Sequence, residues 1–512
     1  MTSRKICTVL LVISTLLIIF MMLLSFSACS TSSNSNSKDG KSNELPYNNN
    51  GSGESGGTDG GQSEFVPAKA DYENDTFNML GFNGYGVGWR AIEYSDISAE
   101  TINSDPINDA IFNRNSKVEE LYNVKIKEVL HGDATSGFNA IDTTIRLMTA
   151  GDNSFDAGLS PGDAMPKIIG ERNMTYNLLA IPELDLSKSW WNQDCVDAFT
   201  LGGKLHSVTG DISLWNVMAT MVFYFNKKLI EDVGLESPYD FVKSGDWTWD
   251  KLAEMAKDAT RDTTGDGKID RFDQIGIASE TDTMLQAVLC SGEKLTYKDS
   301  DGLPVINTNL ERINMVIDKA MPILRSDEYA YATSDLYGRY PNPFFDFTLP
   351  KFRDNTTLFY TQQLMVALDL REMEADFGIL PYPKFNKEQT DYYSYAEEYF
   401  VKYVWIPHTN PDPGKAATII QAMGYYGQQM VIPALYEVTI TNKALRDVES
   451  KEMLELINSS RVFELAYIYK WGEILNIYFD IYNKKTNNLA SQYESKRDKI
   501  ESAIQVTIGE LY

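Results

Sequence analysis

Histidine and cysteine are nearly missing from this chain, which has three His and four Cys in 512 residues. Metal binding and nucleophilic catalysis draw heavily on those two residue types, so their scarcity narrows the available chemistry. His131, His206 and His408 are scattered among strand ends and read as structural, which leaves any acid–base chemistry to carboxylates. Cys7 lies inside an N-terminal apolar run and Cys29 ends it, so Cys195 and Cys290 allow at most one disulfide. We expect them to be two separate buried thiols. Local catalytic signatures are missing too: there is no His-Glu-x-x-His, Gly-x-Ser-x-Gly, Cys-x-x-Cys or phosphate loop. Gly84-Tyr85-Gly86-Val87-Gly88 is a Gly-rich turn without dinucleotide spacing. Internal repeats, which would mark an adhesin, are absent. Positive charge is also short. Lys and Arg number 46 against 72 Asp and Glu, a net charge of −26. That balance excludes nucleic acid and direct adhesion to anionic lipid as partners and fits a secreted soluble protein.

The N-terminus carries Arg4 and Lys5, an apolar run from Ile6 to Phe26, then Ser27-Ala28-Cys29. A basic start, a hydrophobic segment and small residues make an export signal over 1–28. Phe26-Ser27-Ala28-Cys29 resembles a bacterial lipobox with Phe26 where Leu is usual, which implies cleavage before Cys29 and lipidation of its thiol. The alternative is an uncleaved anchor, because the run is long enough to span a bilayer. Either way the rest of the chain lies outside the cell membrane, attached at its N-terminus. From Cys29 to residue 67 the composition is Ser, Asn and Gly with scattered charge, a flexible tether that cannot bury a core.

The remaining chain, about 440 residues, is too long for one simple core, so two domains are expected. Short apolar runs alternate with amphipathic helices. Thr76–Phe82 reads as a strand, Asp105–Tyr122 as a helix, Val124–Leu130 as a half-buried strand and Ala140–Thr149 as a helix. Phe155–Leu159 reads as a short buried strand that runs into the Ser160–Asp163 turn. Strands separated by helices indicate an α/β fold with mostly parallel sheets, in which ligands gather at the carboxyl ends of strands.

The segment from Gly245 to Ser279 reads as helix, acidic loop and strand. Trp249, Leu252, Ala253, Ala256 and Ala259 share one helical stripe, with Thr248 as the cap. The loop then places Asp262, Thr264, Asp266, Asp270 and Asp273 at positions 1, 3, 5, 9 and 12 of a calcium-loop spacing. Gly267 stands at position 6 and the Lys268 carbonyl at position 7. Thr264 replaces an acid and Asp273 a longer Glu, so the ligand set is weaker than usual; a solvated Asp/Gly turn is the alternative. A structural calcium ion is the one cofactor expected.

Later stretches carry a resemblance. SFDAGL, LLAIPELDLSKSWWN, LGGKLHSVTGDIS, VFYFNKKLIEDVGLESPYD and GDWTWDKLAEMA occur in that order, followed by FGILPYPKFN, YVWIPHTN and IPALYEVTITNKALRDVESKEMLELI. Their order and spacing are similar to those of extracellular solute-binding proteins of carbohydrate ABC transporters. The resemblance implies a two-lobe periplasmic-binding-protein-like fold of type II with an interlobe cleft. Lobe 1 would take 68–207 plus about 355–405, and lobe 2 would take 208–354 plus about 406–512. It also implies a monomeric receptor that hands an oligosaccharide to a permease and has no reaction of its own. A receptor for peptides or another solute is one alternative. A secreted glycoside-active enzyme is the other, working with two facing carboxylates.

Aromatic residues make up 12% of the chain, including 29 Tyr and 8 Trp, and flat sugar faces stack on such rings. Trp215 is expected to stack on ligand and Asp211 to accept a hydroxyl; a core Trp with a capping Asp is the other reading. Tyr360, Tyr436 and Glu437 are further cleft candidates, with buried, satisfied tyrosines as the alternative. Asp156 either caps a turn or touches ligand. Trp249 is expected in the core and Trp190-Trp191 in surface-loop packing.

Overall fold

A computed structural model describes residues 65–82, 95–131, 137–170, 174–370, 373–440 and 448–511. The signal, Cys29, the tether up to residue 64 and the Gly84–Gly88 turn lie outside the described residues. Among the described residues no helix is long and apolar enough to cross a membrane.

The expected elements form for the expected reasons. The helix Pro106–Tyr122 starts where Asp105 accepts the Ile107 and Asn108 N–H groups, each at 3.0 Å, with Pro106 at the first helical position. The helix Trp249–Ala259 is capped by Thr248, whose hydroxyl accepts the Lys251 N–H at 3.3 Å, and its buried stripe holds Trp249, Leu252, Ala256 and Ala259.

The first four strands are β1 (Asp75–Gly81), β2 (Val124–Leu130), β3 (Ala157–Pro161) and β4 (Met221–Asn226). They are followed by β5 (Ile275–Ser279), β6 (Thr296–Lys298), β7 (Pro304–Ile306), β8 (Ala330–Ala332) and β9 (Thr357–Gln363). The last are β10 (Phe377–Leu380), β11 (Ser394–Tyr395), β12 (Lys402–Trp405) and β13 (Arg461–Val462). Two main sheets result, ordered β12-β3-β1-β2 and β10-β4-β9-β5-β8. In the first, β1, β2 and β3 are parallel and β12 runs opposite, with Lys402 beside Pro161. In the second, β5, β8 and β9 are parallel, and β4 runs opposite to both β9 and β10.

The two reversed strands mark the crossings between lobes. A chain that leaves one sheet at its ligand-facing edge and enters the other at the corresponding edge starts where the parallel strands end. It must therefore run against them. β4 follows the crossing 209–220 and β12 follows the crossing 396–401. The crossings pair with each other: Val208 bridges Val404, Thr220 bridges Ala396, and the Glu397 N–H donates to the Ala219 carbonyl at 2.9 Å.

This topology corrects the expected lobe boundaries. β9 and β10, placed with lobe 1 from sequence, belong to the second sheet, and only β12 returns to the first. The helix Pro413–Tyr426, placed with lobe 2, packs on the Pro106–Tyr122 helix of lobe 1. The physical reason is that β4, β9 and β10 are buried on both faces, so their pattern says "central strand" without saying of which sheet. The strand expected at Phe155–Leu159 is shifted to Ala157–Pro161. Trp190 and Trp191, expected at the surface, are buried; the Trp191 indole donates to Gln421 at 2.9 Å. Cys195 and Cys290 are both free and buried, as expected.

Candidate functional site

The carboxyl ends of β3, β5 and β9 and the crossing segment 396–401 bring one set of polar side chains together. β3 ends at Pro161 and turns through Gly162–Ala164, which presents Asp163. The turn presses on the crossing, for a Cβ on Gly162 would lie 2.0 Å from the Glu398 carbonyl oxygen. One Asp163 oxygen is buried without a partner. Burial pushes this carboxyl up to about 7, with the Lys470 ammonium pulling the other way.

On the second sheet, β5 runs out into Glu280-Thr281-Asp282, which precede the helix Thr283–Cys290. Both acids are only part-buried by accessible surface. Surrounding protein still pushes Glu280 up to about 8, helped by the Asp282 charge, and takes Asp282 up to about 6. β9 ends on three buried polar residues, Thr361, Gln362 and Gln363. The Gln363 amide donates to Glu397, while its carbonyl oxygen is buried without a partner.

Glu397 sits at the junction. It is 6% exposed and accepts hydrogen bonds from Gln363 and from the Tyr467 hydroxyl, the latter at 3.0 Å. Burial, and next the Asp282 charge, push it up to about 7. Lys470 acts electrostatically on both Asp163 and Glu397, and Asp282 acts on Glu280, Glu397 and Tyr467. Charge coupling therefore runs from the first sheet through the C-terminal segment and the crossing to the second sheet. Half-buried Tyr399 and Phe400 lie beside it, with the Lys470 ammonium 5.8 Å from the Tyr399 ring centre.

Several expected site residues lie elsewhere. Trp215 is 3% exposed, stacked on Phe400 at 5.8 Å and 20°, with Lys402 Nζ 5.8 Å from its ring. Its faces are covered, so it supports the crossing, and Phe400 is the aromatic that retains open surface. Asp211 is buried, and its two oxygens accept from Asn216 at 3.4 Å and Gln428 at 3.0 Å. It caps no helix. Tyr360 is core, stacked on Tyr224 at 4.8 Å and packed against Phe352. Asp156 precedes β3 and accepts the Asn78 N–H at 2.7 Å, so it lies at the amino end of the sheet, opposite Asp163. Tyr436 is half-buried and accepts from Asn458 at 2.5 Å; Glu437 is exposed on the same helix.

The acidic loop folds onto itself. Asp262 accepts from the Gly265 and Gly267 N–H groups at 2.6 and 2.9 Å, Asp266 from Lys268 and Asp270 from Phe272. Asp273 is fully buried and accepts from Thr263, Thr264 and Asp270, bonds that hold it at about 2. Among the described residues, no three His, Cys, Asp or Glu converge as a metal centre requires.

Two α/β lobes joined by paired crossings, with polar groups gathered at facing strand ends, define a two-lobe periplasmic-binding-protein-like fold. Solved structures with the same arrangement include an ABC substrate-binding protein from Listeria monocytogenes in complex with cycloalternan. That one has 12% identity and a TM-score of 0.52 over 85% of this chain and 99% of the other. A sugar transporter protein from Rhizobium etli in an open conformation has 12% identity and a TM-score of 0.54, over 85% and 98%. A cyclo/maltodextrin-binding protein complexed with maltotetraose has 13% identity and a TM-score of 0.52, over 86% and 98%. At these identities the likeness is one of fold. No family model matches the chain, and no curated protein matches its sequence.

Proposed function

We propose that this chain is the extracellular receptor of a carbohydrate ABC importer, held to the cell membrane by a lipid on Cys29. It captures an oligosaccharide between its lobes, closes by a hinge at 209–220 and 396–401, and presents the loaded form to a permease. It carries out no reaction of its own. The observation that carries this reading is the set Asp163, Glu280, Asp282, Gln363 and Glu397, which stand at the carboxyl ends of strands in both sheets and on the crossing between them. Acids and amides beside part-open aromatic rings suit a solute rich in hydroxyls and flat C–H faces. Support also comes from the fold neighbours captured with cycloalternan and maltotetraose. Tyr436 and Glu437, which the structure does not bring into this set, stay as proposed ligand contacts on sequence position alone.

The test is a thermal-shift screen against oligosaccharides, with the sugar recovered and analysed afterwards. A tight binder raises the melting temperature by mass action. Recovery of the sugar intact supports the receptor; cleavage would make the raised carboxyls an acid–base pair and the protein an enzyme. A structural calcium ion in the Asp262–Asp273 loop is proposed on the spacing of its oxygens.

A further inference from the structure

Phe65, ten residues ahead of β1, is half-buried, although residues 66–69 after it are exposed and Val66 reaches 75%. Its ring stacks on Tyr425 at 4.5 Å and 17°, and meets Trp190 and Tyr426 edge-on at 5.9 and 6.0 Å. Trp190 meets Tyr425 at 5.4 Å and 72°, and Tyr425 meets Tyr426 at 5.0 Å, so the four rings form one cluster. Apolar burial and ring geometry together favour this seat over water.

The two segments that grip Phe65 also grip the start of the first crossing. The Trp190 carbonyl accepts the Asp211 N–H at 2.8 Å, and Trp191 bridges Gly210. Just beyond Tyr425 and Tyr426, the Gln428 amide donates to the Asp211 carboxyl at 3.0 Å and accepts from Ser189 at 3.2 Å. The junction leaves no room for added side chains. A Cβ on Gly210 would lie 2.3 Å from the Trp190 carbonyl oxygen, and one on Gly424 2.7 Å from the Trp190 ring. On Gly427 it would lie 2.0 Å from the Asp211 carbonyl oxygen. Packing this close passes displacement from one segment to the next. Phe65 wedges Trp190 against the 425–428 turn, and both of its supports hold Asp211.

We propose that Phe65 is a latch by which the segment ahead of β1 braces the first crossing. Seated among Trp190, Tyr425 and Tyr426, it sets how readily residues 209–214 open. The segment then does more than attach the folded body, and this role is independent of what the cleft binds.

Amide hydrogen exchange of the full-length chain, read by mass spectrometry without any sugar, tests the latch. Phe65→Ala should speed exchange in 209–214 and 425–431 by at least about tenfold, while β9 keeps the parent's protection. Phe65→Tyr, whose ring can stack in the same seat, should restore protection. Tyr72→Ala loosens the same segment at its other end, where Tyr72 donates its N–H to the Tyr122 carbonyl at 2.9 Å and the two rings lie 6.1 Å apart. It should leave 209–214 protected. Unchanged exchange of 209–214 in Phe65→Ala overturns the proposal and makes Phe65 a passive surface contact. Equal opening of the crossing by Tyr72→Ala, or protection lost evenly over both lobes, also overturns it, because either would mean general loosening.

Discussion

Replacing Glu397 by Gln tests whether the junction acid is neutral in the folded protein. Its ordinary value of 4.5 is pushed up to about 7, mainly by burial. A group raised in the folded state contributes stability that is fully present below 4.5, the unfolded value, and is lost as pH rises through about 7. The shift corresponds to roughly 3 kcal/mol by linkage, and hydration of an open cleft lowers that to about 1–2 kcal/mol. Gln is neutral at every pH, and its carbonyl can accept the Tyr467 hydroxyl as the acid does. Glu397→Gln should therefore melt like the parent near pH 4 and above it near pH 8, by about 1–2 kcal/mol. For a body of about 440 residues that is a rise of roughly 1–2 °C. Differential scanning calorimetry of both proteins without sugar, across that pH range, gives the answer. Parallel pH profiles, or a variant less stable at high pH, would refute the argument, because they would show Glu397 ionised in the fold at no cost.

Trp215→Ala removes a buried ring from beneath Phe400 and should cost about 3–5 kcal/mol of stability; an unchanged melt would return Trp215 to the ligand surface. Gly162→Ala forces a methyl group against the Glu398 carbonyl and should destabilise by about 1–3 kcal/mol, read by urea unfolding; a neutral result would mean that the turn can draw back. Terbium is expected to bind the Asp262–Asp273 loop and EGTA to lower the melting temperature, and silence in both would end the calcium proposal. Cys29→Ser should release the protein from cells into the medium, whereas retention would favour an uncleaved anchor.

Elements whose cause is local were legible in the sequence. The helix read over Asp105–Tyr122, the Thr248 cap, the Trp249 stripe and the strand after the acidic loop needed only spacing and residue type. Residues whose role depends on long-range burial were not. Trp215 and Tyr360 look like ligand platforms because they are aromatic, yet each is covered by partners distant in sequence: Phe400, and Tyr224 with Phe344. These acids were hidden among the 72 Asp and Glu of the chain, although a signal was there. Asp163 was within reach through the Ser160–Asp163 turn. Glu280 follows a fully buried strand by one residue, and the β9 run ends in Thr-Gln-Gln, polar side chains that a central strand buries only for a purpose. Glu397, Tyr467 and Lys470 had no such mark, because a crossing segment and a helix end acquire their neighbours only when both lobes are assembled.

The crossings explain how occupancy of the cleft becomes a change of shape in the proposed receptor. The sheets are buried on their faces, so a hinge motion in the proposed receptor would fall on the short paired segments between Val208 and Thr220 and between Ala396 and Val404. Glu397 lies inside that ribbon, with its N–H on Ala219, its carboxyl between Gln363 and Tyr467, and the Asp282 charge nearby. A solute that bonds Asp163 on one lobe and Asp282 on the other draws the sheets together and at the same time changes the charge felt by the ribbon that joins them. The closed form is then stabilised only to the extent that the solute bonds both lobes, since a ligand with equal affinity for open and closed forms shifts nothing. Selectivity for the solute and the signal to a permease would therefore rest on the same few carboxyl groups.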